Sequence, residues 1–562
     1  MKSMKSMMMG GAILLGLTMC LTSCEGTLDD IFGEWSRPTH GTSDGTKPDS
    51  QGNVTSISIA PTTLELAAGE TGQLTATVDP SGTAVTWSSD KEEVATVDAN
   101  GLVTAVAAGI TTITAKAGDK SATCEVTVTA NPAATPLTME AITAGTIIVN
   151  SPKAGMQYSL NGGAKTAVST TAIDVAVGDK VQFYGNGTSI TKYSGTQIAG
   201  GTAEVKVYGN IMSLVDETGF ATNTTLTAGD TFNGLFKNNA KLTDASGLLL
   251  PAETLATSCY ESMFQSCKAL TAAPELKAKT LANSCYYAMF VNCTSLTAAP
   301  ALPATSLAEN CYYNMFNGCT SLTTAPALPA TALANSCYNG MFSYCISLTA
   351  APALPATTLK EECYSAMFQG CKKLTAAPEL KAENLANFCY SNMFTDCTSL
   401  TAAPALPATT LARNCYYAMF YGCTSLTTAP ALPATSLANY CYNYMFQNCT
   451  SLITAPAKLP ATTLKEDCYS SMFQGCTKLT TAPKLPATSL AKNCYYAMFY
   501  NCTALINANV KAAYKTYNGE CYSMFYGCSA TGAKLHTITT NKDGWQNYLG
   551  GGNWTVDNNW TD

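Results

Sequence analysis

Cysteine is the one residue type in this chain whose number and spacing could do chemistry. Of 25 cysteines, all but Cys20, Cys24 and Cys124 recur in pairs through the second half, opening with Cys259 and Cys267, Cys285 and Cys293, and Cys311 and Cys319. The pair Cys415 and Cys423 sits in "CYYAMFYGCTSLTTAPALPATSLA", residues 415–438. Zinc is excluded first, because a C-x7-C spacing is unlike the short C-x2–4-C of zinc sites and no histidine falls among the repeats. Redox catalysis fails too: C-x-x-C never occurs, and eleven equivalent sites do not describe one active centre. Two structural roles stay open, disulfides and buried thiols. Both cysteines vanish together in the degenerate first coil, "TFNGLFKNNAKL", where Thr231 and Asn239 stand at their places, which favours pairing. Distance argues for core thiols, toward which the reading leans: residues bracketing two helical turns lie ~10 Å apart, and a bridge reaches only ~7 Å.

Nothing else assembles a reaction. The two histidines are His40 and His536, and acidic neighbours such as Glu361-Glu362 read as a solvated coil edge. The expectation is a protein that is not an enzyme, with no cofactor and no metal. Charged residues are 12% of 562, the net charge is −7 and 46% of residues are hydrophobic. That is a folded, weakly acidic chain without the basic surplus that nucleic-acid phosphates require.

The elements that carry the pairs repeat every 26 residues, with steps of 27 to Cys468 and Cys521. A period in the twenties with recurrent leucines marks a solenoid. Counting each first cysteine as zero, Tyr stands at +1, Met at +4, Phe at +5, Cys at +8, Leu at +11 and Ala-Pro at +14 and +15, whereas +2, +3 and +6 vary freely. Fixed 0, +1, +4, +5 and +8 predict the buried stripe of a short amphipathic helix. Ser, Asn or Asp just before the cysteine (Ser258, Ser284, Asn310, Ser336, Asn414, Asp467, Asn493) suits its N-cap. Gly, Asn or Asp at +7 suits a left-handed residue ending it. Residues +11 to +14 predict a short strand cut off by proline, stacking at ~4.8 Å per coil into an array ~50 Å long.

This pattern resembles the BspA-type leucine-rich repeats of bacterial surface proteins, whose motif has the same spacing from an Ile, here the first cysteine, to its Cys. The resemblance implies an α/β leucine-rich-repeat solenoid, residues 209–530: a degenerate first coil and eleven 26-residue coils. Ahead of it, residues 54–130 alternate apolar and polar in short runs, an all-β signature. There "VTWSSDKEEVATVDANGLVTAVAAGITTITAKAG", with the Trp87-Ser88-Ser89 turn and the strand start at Gly101-Leu102-Val103, resembles the bacterial immunoglobulin-like group 2 domain. That family's modules are commonly spacers or adhesive units. Residues 136–208 predict a second small β-sandwich with turns at Asn161-Gly162 and Gly178-Asp179, and with Tyr158 and Tyr184 on its inner face. The fold class is multidomain: N-terminal all-β sandwiches, then the solenoid.

The N-terminus reads as an export signal, residues 1–23, with Lys2 and Lys5 before the apolar run "GGAILLGLTMCL". Its end, "LTSC", resembles the lipobox of bacterial lipoproteins, implying lipidation of Cys24 and a flexible tether over 24–53. Glu25, Asp29 and Asp30 hint at display on the outer face. The expected location is the outer membrane, lipid-anchored and surface-exposed, with no other membrane contact.

Ligands have two candidate faces. Tyrosines recur at +2 and +6: Tyr417 with Tyr421, Tyr496 with Tyr500, and singly Tyr287, Tyr313 and Tyr526. Four apart, they would share one helical face, and exposed aromatics suit sugar or protein contact. The opposite, Thr/Ala-rich sheet face is the other. In the C-terminal segment, 531–562, Trp545, Trp554 and Trp560 read as a cap over the last coil. The expected function is adhesion or recognition of a host or microbial surface protein or glycan. The alternatives are polysaccharide capture and a structural surface coat.

Overall fold

The computed structural model describes residues 53–185, 190, 195–549 and 554–560. The export signal, Cys24, the tether up to residue 52 and His40 lie outside the described residues.

The first module is built from β1 (Ser56–Ala60), β2 (Thr63–Ala67), β3 (Thr71–Gln73), β4 (Thr75–Asp79), β5 (Thr86–Ser89), β6 (Ala95–Val97), β7 (Leu102–Ala105), β8 (Gly109–Ala117) and β9 (Lys120–Thr129). Alternation turns Val103, Ile113, Cys124 and Val126 inward, into a core separate from the rest of the chain. The sheet order β2-β9-β8-β5 includes one parallel pair, β2 with β9. The Trp87-Ser88-Ser89 run is not a turn, as the sequence suggested, but part of β5 paired to β8. Trp87 packs over Gly101, where an added Cβ would come 2.7 Å from its ring.

The second module comprises β10 (Thr138–Ala141), β11 (Gly145–Asn150), β12 (Gln157–Leu160), β13 (Thr166–Ala167), β14 (Ile173–Val175), β15 (Lys180–Tyr184), β16 (Gln197–Gly201) and β17 (Val205–Asn210). Asn161 and Gly162 both have positive φ and form the centre of a turn that Gly163 N–H closes on the Leu160 carbonyl at 3.0 Å. Of the two expected core tyrosines, Tyr158 packs partly against the core. Tyr184 does not: β15 turns Val181 and Phe183 inward, so Tyr184 falls on the other face, with the Lys165 ammonium 4.0 Å over its ring.

No boundary falls near residue 208, where one was expected. Strand β17 crosses it and pairs in parallel with β18 (Leu242–Leu249), extending one sheet of order β13-β12-β15-β10-β17-β18 into the first coil. Sandwich and solenoid share a single hydrophobic core running from Leu137 to Val556. Asn239, in the second cysteine's place, reaches back to donate to the Ile198 carbonyl at 3.0 Å. Gly209 sits at this junction with φ +81, and a Cβ there would lie 2.2 Å from the Pro136 carbonyl oxygen. Gly209→Ala should therefore lower the urea midpoint of this combined unit, by roughly 3 kcal/mol from left-handed strain plus backbone displacement. The first module's separate transition should stay where it is.

The coils contain no α-helix. Across the arc from Cys415 to Cys423, amides alternate between two acceptors. Tyr417, Met419, Tyr421 and Cys423 N–H bond three residues back, to Asn414, Tyr416, Ala418 and Phe420. Tyr416, Ala418, Phe420 and Gly422 N–H bond to carbonyls of the next coil, at Cys441, Asn443, Met445 and Gln447. The arc is a ribbon of overlapping β-turns. It needs left-handed residues at −1, +3 and +7, and Asn414 (φ 53), Ala418 (φ 49) and Gly422 (φ +70) supply them. The expected N-cap residues are thus left-handed turn residues, a role for which Asn and Asp are also suited. The side chain at +7 lies over the next coil: a Cβ on Gly422 would come 2.2 Å from Asp396 Oδ1.

The expected strand at +11 to +14 shrinks to single parallel bridges, such as Ala298 with Thr324 and Thr324 with Ala350. The Ala-Pro that follows cannot donate to a ladder. Fuller strands form in the last coils: β19 (Thr481–Leu485), whose register slips around Pro483, and the proline-free β20 (Asn507–Val510), β21 (Ala533–His536) and β22 (Trp554–Asp557). Inside the array, Phe at +5 stacks on Phe at ring-centroid distances of 5.3 to 5.8 Å. Tyr at +1 stacks on Tyr at 5.7 to 6.1 Å.

The last step is 26 residues, not 27. Tyr495 N–H bonds to the Glu520 carbonyl where Tyr416 bonds to Cys441, so buried Glu520 takes the first cysteine's place and Cys521 the tyrosine's. Beyond it, α1 (Lys542–Leu549) brings Trp545 fully under cover, its indole N–H donating to the Ala512 carbonyl at 2.8 Å. Trp554 is buried as well, and the Trp560 ring lies 5.8 Å from the Lys511 ammonium. Trp545 and Trp554 close the core, so these two rings leave no exposed face for a sugar.

Candidate functional site

The paired cysteines form two parallel ladders of free thiols, among them Cys259, Cys285, Cys311 and Cys415 in one and Cys267, Cys293, Cys319 and Cys423 in the other, all buried. The second ladder has a defined bonding role. Cys293 Sγ donates to the Phe264 carbonyl at 3.0 Å, and Cys423 Sγ to the Phe394 carbonyl at 3.1 Å. The same bond recurs at every second cysteine, from Cys267 to Cys528. A cysteine at +8 is therefore both an apolar filler and a weak donor. Burial pushes the thiols up, Cys319 and Cys371 to about 12, so neither is a nucleophile near neutrality. Among the described residues, no group of three or more His, Cys, Asp or Glu could hold a metal ion. Nor is any helix long and apolar enough to cross a membrane. Glu362, expected to be solvated, accepts hydrogen bonds from Ser336 Oγ and Asn339 Nδ2 of the preceding coil.

The outward residues of the turn ribbon are those at +2, +3, +6 and +7. Tyr287 and Tyr313 stack face to face at 4.8 Å and 6°, Tyr496 on Tyr522 at 5.8 Å, and Tyr500 on Tyr526 at 5.1 Å. Burial, then the neighbouring Tyr313 and Glu261, raise the Tyr287 phenol above its usual range. The arrangement differs around Tyr417. Its partner is Tyr444, from +3 of the next coil, edge-on at 5.6 Å and 81°. Tyr421, four residues beyond Tyr417, receives a hydrogen bond on its hydroxyl from Asn448 Nδ2 at 3.4 Å. These three rings with Gln369, Asn392, Thr395, Asp396, Ala418 and Gln447 line an open trough of about 450 Å³ across four coils.

The sequence reading had Tyr417 and Tyr421 but not Tyr444, Asp396 or the two glutamines. The sequence pairs tyrosines four apart within one coil, whereas Tyr444 meets Tyr417 from +3 of the next coil, because the turn ribbon, with a repeat of four, turns +2, +3, +6 and +7 outward together. Reading the copies as columns, with Tyr444 standing where other coils hold Ala, Ser, Asn or Gly, carries that signal.

A β-rich immunoglobulin-like module followed by a leucine-rich-repeat solenoid is thus the class that fold and surface define. The model of the BspA type leucine rich repeat region matches residues 233–375, 335–472 and 466–542, together more than half of the chain. The model of the bacterial Ig-like domain (group 2) matches residues 53–128. The chain belongs to the BspA-type leucine-rich repeat family and carries a group 2 bacterial Ig-like domain. Repeats of this kind point to a role in protein interaction or surface recognition.

Two curated relatives match over short stretches. A lacto-N-biosidase of Bifidobacterium bifidum is 48% identical over 79 residues, 14% of this chain and 7% of its own. Ice-binding protein 1 of Shewanella frigidimarina is 42% identical over 83 residues, 14% of this chain and 9% of its own. The chain spans less than a tenth of either. Among solved structures, the TLR13–ssRNA13 complex is 11% identical with a TM-score of 0.19, covering 52% of this chain and 48% of that one. A superposition that loose carries no argument.

Proposed function

We propose that this protein is a non-catalytic recognition protein of the cell surface, an adhesin held to the outer membrane by lipid on Cys24. Its solenoid would meet a host or microbial surface molecule. The observation that carries this reading is the tyrosine band on the turn face. The core needs none of these rings, yet they recur on the outward columns, with Tyr522 and Tyr526 more than half exposed. Large rigid aromatics on an otherwise small-residue surface are what an interface uses for contact area.

The test is binding of the full chain to a panel of matrix proteins, mucins and polysaccharides. A second chain would carry Ala at Tyr287, Tyr313, Tyr417, Tyr421, Tyr496 and Tyr500. Saturable binding weakened about tenfold or more by the substitutions supports recognition through this face. Binding of the unaltered chain to nothing on a broad panel would favour the structural-coat reading. Capture of a polysaccharide for uptake is the second reading, favoured by the trough around Tyr417.

A further inference from the structure

We infer that the trough between Tyr417 and Tyr444 is a binding site for a neutral saccharide. This rests on the recognition reading above and names the ligand class for one site within it.

Ring geometry singles this place out. In the other outward tyrosine pairs the rings stack in parallel, each covering one face of its partner, as Tyr287 and Tyr313 do at 6°. Tyr417 and Tyr444 meet at 81°, so their planes form a corner with ring face left open. Such faces accept the C–H side of a pyranose, while hydroxyls around the sugar's edge need both donors and acceptors. The rim supplies them. The carboxylate of Asp396 and the amides of Gln369 and Gln447 line the trough, and among the described residues none of these three side chains is hydrogen-bonded or ion-paired. Each amide offers a donor and an acceptor and the carboxylate accepts only, a set matched to hydroxyls. Thr395 is already engaged, donating to the Ala418 carbonyl at 2.8 Å, and helps to shape the floor.

Charge and depth narrow the class further. The lining holds one carboxylate and no Lys, Arg or His, so sulfated or sialylated sugars would meet repulsion without a counter-charge. A protein partner would want a desolvated apolar pocket for an anchor side chain. Apart from the rings, this lining offers only the Ala418 and Thr395 methyls. A volume of about 450 Å³ falls in the range of small-molecule sites, ~300–1,000 Å³.

The experiment measures binding of the full chain to neutral tetra- to hexasaccharides of the gluco-, manno-, galacto- and N-acetylhexosamine series, beside sulfated and sialylated counterparts. At least one neutral series should bind saturably and more tightly than its anionic counterpart. Tyr417→Ala and Tyr444→Ala should each weaken it about tenfold, the loss of an aromatic contact with its desolvated surroundings. Tyr417→Phe, which keeps the ring, and Tyr287→Ala, outside the trough, should stay within about twofold. Asp396→Asn should narrow the preference against sulfated sugars. Neutral-sugar binding that survives Tyr417→Ala and Tyr444→Ala, or preference for anionic sugars, overturns the proposal. If no saccharide binds but a matrix protein does, the trough assignment fails and the recognition reading stands. If nothing binds, both fail.

Discussion

Taken from pH 8 to pH 11 under reducing conditions, the solenoid should lose its resistance to urea while the first module keeps its own. The cause is the thiol ladders. Burial pushes Cys285, Cys319, Cys337, Cys371, Cys389 and Cys441 up to about 12. The unfolded chain gives up those protons near the ordinary value of 9.0. Below pH 9 both states hold them and stability is unaffected. Above it the unfolded state binds fewer protons, so stability falls until pH approaches the folded values. Each such thiol removes roughly 1 kcal/mol per pH unit in that window. These six alone would then remove about 6 kcal/mol by pH 10, as much as the whole net stability of many domains.

The first module holds one cysteine, Cys124, in a core of its own, and serves as the internal reference. Urea midpoints at half-unit pH steps would read the effect, with a thiol count in the unfolded state at each pH. A midpoint that stays flat to pH 11 would mean that the thiols are not buried as described.

Phe420→Ala should break the array in two. Phe420 is fully buried between Phe394 at 5.6 Å and Phe446 at 5.5 Å. Removing its ring costs about 3–5 kcal/mol through lost transfer energy and a cavity. In a compact domain that loss would spread over one cooperative unit. Here each arc bonds to its sequence neighbours along the stack, so stability is a sum of coil and interface terms. The damage falls on the two interfaces of one coil. The expected result is two urea transitions in place of one, with amide exchange fastest around residues 415–440. Phe420→Leu, which keeps most of the volume, should leave one transition. A single transition shifted by less than about 1 kcal/mol would show coupling that runs well beyond nearest neighbours.

Much of this was legible in the sequence, and the exceptions share a cause. Strict alternation around Val103 and Ile113 gives sandwich strands directly, and the period of 26 gives the stack. The arc was misread as a helix because 0, +1, +4, +5 and +8 satisfy periods of 3.6 and 4 alike over only nine residues. What separates the two is backbone handedness, visible as Asn, Asp, Gly and Ser recurring at −1, +3 and +7. Two of those columns, −1 and +7, suit the ends of a helix equally well. Tyr444 is hidden because the tyrosine columns +2 and +6 omit it: it meets Tyr417 from +3 of the next coil. The slip at the last coil hid Glu520, because matching cysteine to cysteine is the natural alignment even where the backbone matches cysteine to glutamate. The joint at residue 208 was invisible for another reason: β17 reads as the end of a sandwich, and only its partner on the far side, β18, makes it the start of the array.

The arcs also give the rod a polarity. Beyond the first coil junction, where Tyr260 N–H bonds back to the Thr231 carbonyl, the inter-coil amide bonds in them point the same way, as from Tyr416 to Cys441 and from Phe499 to Met524. Their dipoles add, leaving amide hydrogens facing the C-terminal end and carbonyls the N-terminal end, the reverse of an α-helix. The two ends are therefore chemically unlike and need unlike closures. At the N-terminal end the sandwich supplies donors: Ile198 N–H to the Leu235 carbonyl at 2.7 Å and Val205 N–H to the Lys241 carbonyl at 2.9 Å. At the other end the outward amides need acceptors, and the Lys515 carbonyl serves the Cys521 amide at 2.8 Å. Such a stack can be lengthened by whole coils in its interior without disturbing either end. A closure moved to the opposite end would face groups of its own kind.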